Sequence, residues 1–196
     1  MTFIETIPPE KATGRLAEVY ESHRAQQGHV PNFARAFSLQ PDVYLAWQQL
    51  NGAIKAGMDL RRYELATVAA ARRLRSSYCM LAHGSALVDR FLPAETVAAA
   101  AADHHDAGLD ELDVSVMDLA DKVAADASSV TDADLERLRE LGLEDSEILG
   151  VVLAAAARCF FSKTLDAVGV QPDATYASLD PALRDALVVG RPIAAA

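Results

Sequence analysis

The stretch Arg75-Ser76-Ser77-Tyr78-Cys79-Met80-Leu81-Ala82-His83-Gly84 holds residue types able to do covalent chemistry. Cys79 is one of two cysteines, with Ser76 three residues before it and His83 four residues after it. Ser76 and Ser77 are both good N-cap types. A helix beginning there places Cys79 in its first turn, where the positive end of the helix dipole favours a thiolate. His83 then lies one turn along the same face, where its imidazole can take the thiol proton. A carboxylate at Glu64 can orient that imidazole or relay the proton. On one straight helix Glu64 and Cys79 would sit roughly 22 Å apart. They converge only if the chain breaks between them and the next helix turns back.

The elements that must position these residues read as helices. Apolar residues recur at helical spacing over 15–27, from Asn32 to about Leu39, and over 43–56, where Gly57 suits a C-terminal stop. Asp59 caps an Ala-rich helix running to about Leu74, and Arg75-Ser76-Ser77 offers the required break. Further helices are expected over 78–90, 94–102, 111–126, 131–141, 145–166 and 180–188. No segment alternates with period 2, so the fold class is all-α, an antiparallel helical array in a single domain. Shifting the chain by 83 residues lays 60–79 over 143–162, matching Leu60, Glu64, Val68, Ala71 and Arg75 with Leu143, Glu147, Val151, Ala154 and Arg158. Ser76 then falls on Cys159 and Cys79 on Ser162, as if each copy kept a different half of a C-x-x-C. The repeats span about 41–105 and 111–170, followed by a tail, 171–196.

Composition narrows the partners. Of 196 residues, 51% are hydrophobic, and 10 glycines and 8 prolines suit helices better than a turn-rich β protein. With 18 basic against 28 acidic residues the net charge is −10, which argues against nucleic acid. The N-terminal stretch lacks the basic and apolar regions of a signal peptide. The apolar run from Ile148 to Phe161 is short of the roughly 20 residues of a membrane span. A soluble cytoplasmic protein is expected, and the two cysteines do not form a disulfide framework. No cofactor or metal is expected. Asp103-His104-His105-Asp106 reads as a solvated loop, since adjacent positions rarely face one centre. Cys159, beside Phe160 and Phe161, reads as buried packing. Arg72, Arg73 and Arg75 read as surface or subunit-contact residues, with a role toward an anionic substrate as the alternative. Tyr44 and Trp47 either pack the core or roof the site.

The pattern E-x11-S-x2-C-x3-H resembles the alkyl hydroperoxidase D and carboxymuconolactone decarboxylase superfamily, whose redox members read E-x11-C-x2-C-x3-H. Gly28-His29-Val30-Pro31-Asn32 and the C-terminal Leu187-Val188-Val189-Gly190-Arg191-Pro192-Ile193 are similar to its peroxidase-related branch. The resemblance implies an all-helical fold with an internal repeat, assembled as trimers or hexamers. It makes Cys79 the peroxide-attacking cysteine, His83 and Glu64 the proton relay, and Ser76 the occupant of the resolving position. Serine cannot close a disulfide, so a sulfenic acid at Cys79 would need an external thiol. Cys159 could substitute only with its Cα within about 7 Å of that of Cys79. Three functions follow: a single-cysteine hydroperoxide reductase acting on a small peroxide, a non-redox acid–base enzyme of the decarboxylase type, and a non-catalytic oligomeric binding protein.

Overall fold

A helix built mainly of small and aliphatic residues runs through the centre of the molecule. In the computed structural model, which describes residues 2–195, it spans Leu60–Arg73 and is buried continuously from Tyr63 to Ala71. Its alanines let other helices approach closely, and a stretch buried on all sides belongs in a core. Each large side chain it buries, such as Leu65, contributes roughly 1.5–3 kcal/mol.

In chain order the α-helices are α1 (Gly14–Gln27), α2 (Asn32–Ala36), α3 (Pro41–Ala56), α4 (Leu60–Arg73), α5 (Ser77–Arg90) and α6 (Ala94–Ala102). They continue as α7 (Glu111–Asp126), α8 (Asp132–Glu140), α9 (Asp145–Ala167) and α10 (Pro181–Leu187). No strand occurs among the described residues, so the all-α expectation holds. The central α4 packs against α5, α7 and α9, and α3 covers α9. α9 is long and apolar enough to cross a bilayer by length and composition, because the apolar run continues into helical ends bearing Asp145, Glu147 and Lys163. In this fold more than half of its most apolar 18-residue stretch is buried.

The break between α4 and α5 falls at Arg75, which adopts a left-handed φ of 55°. Such a conformation costs a non-glycine residue about 1–2 kcal/mol. The C-terminal tail clamps it. Arg75 Nε donates to the Val189 carbonyl at 3.3 Å, and Gly190 N donates to Ser77 Oγ at 2.7 Å. A Cβ at position 190 would collide with the Arg75 carbonyl, so glycine is required there.

Two expectations need correction. Ser76 occupies the N-cap position of α5, but its side chain makes no capping bond, and Ser77 is the first helical residue. Ser76 is instead buried beside Asp166 of α9, and Ser77 anchors the tail. The Asp103–Asp106 segment is a 3-10 turn rather than a fully solvated loop. His104 is buried in it, and its Nε2 donates to Asp118 of α7.

Candidate functional site

The reversal at Arg75 brings α5 back along α4, which is what the sequence required for Glu64 and His83 to meet. Glu64 Oε2 lies 2.5 Å from His83 Nδ1, and its other oxygen accepts from Lys55 Nζ of α3 at 3.0 Å. Glu64 is 3% exposed, and the His83 side chain 17%. Burial alone would raise the Glu64 carboxyl, but hydrogen bonds and charge from His83 and Lys55 outweigh it and hold it below its ordinary value. For His83, burial and then the Arg158 cation push the pKa down against the opposing pull of Glu64, to about 4. The imidazole is therefore neutral near pH 7. Its Nδ1–H donates to the carboxylate, which leaves Nε2 as a free base.

Cys79 is in the first turn of α5 and 1% exposed. Its polar contacts come from α9. Arg158 Nη1 lies 3.5 Å from Sγ and Ser162 Oγ lies 3.1 Å from it. No hydrogen bond among the described residues links Cys79 directly to His83.

Arg158 is the residue that sequence reasoning missed. It is 2% exposed and makes no ion pair with a carboxylate among the described residues. Its Nη2 donates to Tyr63 OH at 3.4 Å, and Tyr63 OH donates to Asn51 Oδ1 at 2.8 Å. The guanidinium lies 5.9 Å from the Trp47 ring centroid and 5.6 Å from that of Phe161. A buried cation without a carboxylate is costly, and the polar atoms that face this one are the Cys79 sulfur and the Tyr63 hydroxyl. The arginine interrupts the apolar run of α9, and the 83-residue shift already paired Cys79 with Ser162. Neither signal revealed that these side chains touch.

The remaining candidates are placed elsewhere. Cys159 is half-buried, and both cysteines are free. Trp47 stacks on Phe161 with ring centroids 4.0 Å apart, and Tyr44 bonds His23 at 2.8 Å, so both aromatics belong to a packed cluster flanking Arg158. Arg73 pairs with Asp121, Arg72 bonds the Ala102 carbonyl and Arg75 bonds the tail, so these three serve local structure. Metal ligation at the site is disfavoured electrostatically, because Lys55 and Arg158 already present cations to the carboxylate and the sulfur.

No protein-family model and no curated protein matches the chain. Solved structures do match. A peroxidase-related protein with an alkylhydroperoxidase AhpD core from Ralstonia eutropha JMP134 superposes with a TM-score of 0.82 at 20% identity, covering 89% of this chain and 94% of that one. A peroxidase-related protein from Silicibacter sp. TM1040 gives 0.68 at 20% identity, covering 90% and 91%. The debrominase Bmp8, whose cysteine-to-alanine variant was solved in complex with 2,3,4-tribromopyrrole, gives 0.70 at 14% identity, covering 93% and 94%. The chain has the alkylhydroperoxidase D-type helical fold, shared with these peroxidase-related proteins.

Proposed function

We propose that this protein is a single-cysteine, thiol-dependent hydroperoxide reductase. The observation that carries the reading is the buried, carboxylate-free guanidinium of Arg158 on the sulfur of Cys79, one turn from the Glu64–His83 pair. Cys79 attacks the terminal oxygen of a hydroperoxide as the thiolate. The O–O bond breaks, the sulfur becomes a sulfenic acid, and the leaving alkoxide takes a proton to become an alcohol. His83, neutral with Nε2 open, is the base that accepts the thiol proton and returns it to the leaving oxygen as the site opens to substrate. Ser76 cannot resolve the sulfenic acid. One external thiol condenses with it, releasing water and leaving a mixed disulfide, and a second thiol frees Cys79. Overall, one hydroperoxide and two thiols give one alcohol, one disulfide and water.

The test is intact-mass analysis after a brief peroxide pulse, with dimedone trapping, together with peroxide-dependent oxidation of an external thiol. A one-oxygen gain and a dimedone adduct at Cys79 support the reading. Turnover by Cys79→Ser at the wild-type rate overturns it, and loss of two hydrogens would implicate Cys159 as a resolving partner. Activity on a lactone surviving Cys79→Ala but not His83→Ala would select the acid–base alternative. A Cys79 inert to alkylation near neutral pH would select the non-catalytic one.

A second reading is thiolate attack on a halogenated aromatic. It is favoured by the aromatic side chains of Trp47, Tyr63 and Phe161 around Arg158, and by the likeness to a debrominase. Bromide release from a bromopyrrole without peroxide turnover would select it. We further propose a cytoplasmic homo-oligomer. Exposed Leu149, Leu153 and Phe160 on α9 and Val43 and Leu50 on the adjacent α3 support self-association. Light scattering on eluting protein tests this, a trimer or hexamer being the expected result.

A further inference from the structure

Away from Cys79, the turn joining α6 to α7 gathers a second set of chemistry-bearing side chains. Asp103 ends α6, His104–Asp106 form one 3-10 turn, and Asp118 lies on α7. His104 is 4% exposed. Its Nε2 lies 2.8 Å from Asp118 Oδ1, and His105 Nε2 lies 3.0 Å from the same oxygen. A carboxylate only accepts, so His104 Nε2 carries the hydrogen of that bond. In the neutral ring His104 Nδ1 is then a lone-pair donor. The ring centroids lie 4.4 Å apart, with the planes tilted by 31°. His104 Nδ1 is buried and has no hydrogen-bond partner, a costly condition for a polar atom. The Asp103 carboxylate, held by the His105 backbone N–H at 3.0 Å, completes the group. One ligand atom from each of Asp103, His104 and His105 falls within 4.8 Å of the others.

We propose that Asp103, His104 and His105 bind a divalent transition-metal ion of the zinc class, with Asp118 orienting the His104 imidazole. An imidazole bound to metal through one nitrogen characteristically donates its other N–H to a carboxylate, and Asp118 occupies that place for His104. Two nitrogens and one carboxylate oxygen suit zinc and leave a fourth position for water. Ligands about 2 Å from a tetrahedral centre lie roughly 3.3 Å apart. The group therefore closes on the ion through the two exposed members, Asp103 and His105, while buried His104 stays in place. The ion would fix the turn after α6, which His104 joins to the middle of α7 through Asp118.

The experiment uses the full chain without a polyhistidine tag, in a Cys79→Ser background so that the thiol cannot bind metal. Calorimetric titration with Zn2+ is expected to give one ion per chain, and the thermal midpoint to rise with Zn2+ concentration. Co2+ is expected to give the visible absorption of a four-coordinate site. Asp103→Asn and His105→Ala, both at exposed positions, each weaken binding by about tenfold or more, and Asp118→Asn weakens it by about 10- to 100-fold. Absence of binding up to millimolar Zn2+ overturns the proposal, as does unchanged affinity in both Asp103→Asn and His105→Ala. Unchanged affinity in Asp118→Asn overturns the orienting role of that residue.

Discussion

Replacing Arg158 with methionine tests the electrostatic core of the proposed chemistry. Methionine keeps much of the volume and removes the charge. At the observed 3.5 Å from Sγ, a unit charge pair at an effective dielectric near 20 interacts by about 5 kcal/mol, an upper bound. A hydrogen bond to a charged group contributes about 1.5–3 kcal/mol net. The lower range is the better guide here, because Ser162 Oγ, 3.1 Å from the sulfur, remains in the variant. It corresponds to a loss of roughly 10- to 150-fold in thiolate reactivity. The fold should survive, since Arg158 has no carboxylate to leave stranded, and replacing a buried charge with a well-packed apolar group is often neutral or stabilising. The assay is pseudo-first-order alkylation of Cys79 and peroxide consumption at neutral pH, with the denaturant midpoint measured on the same samples. Arg158→Lys, which keeps the cation, should recover part of the rate. A folded Arg158→Met that reacts at the wild-type rate would refute the pairing of guanidinium and thiolate.

Ser76→Cys should restore the C-x-x-C. Its Cα atoms, three residues apart at a helix start, lie within the roughly 4.4–6.8 Å that a disulfide spans. Peroxide should then remove two hydrogens from the chain, and an unchanged mass counts against Ser76 as the vacated resolving position. Glu64→Gln leaves Lys55 without its carboxylate partner, and should cost about 1–3 kcal/mol in urea unfolding and disorient His83. A midpoint within error of wild type would contradict this. Stability should also fall on acidification. His83 is depressed from its ordinary value of 6.5 to about 4, so between those limits the unfolded chain binds the extra proton. The contribution is fully present above pH 6.5 and lost as pH falls toward 4, amounting to about 3 kcal/mol. His83→Gln should flatten that limb, and an unchanged acid limb would show that His83 titrates normally.

The sequence alone determined the helices, the break before Cys79 and the need for Glu64 and His83 to meet across it. Each of these rests on local physics, the 3.6-residue period and the reach of a straight helix. It misread the serines, because a capping residue type does not say whether the chain turns its hydroxyl toward its own helix or toward a distant tail. It also placed His104 in solvent, since nothing nearby in sequence announces that its ring would pack inward beside α7. The partners of the sulfur were decided only by tertiary structure. Arg158 and Ser162 share one face of α9, and whether that face meets α5 depends on how α4, α5, α7 and α9 pack around one another. Helical periodicity shows that a face exists, and only packing selects what it touches.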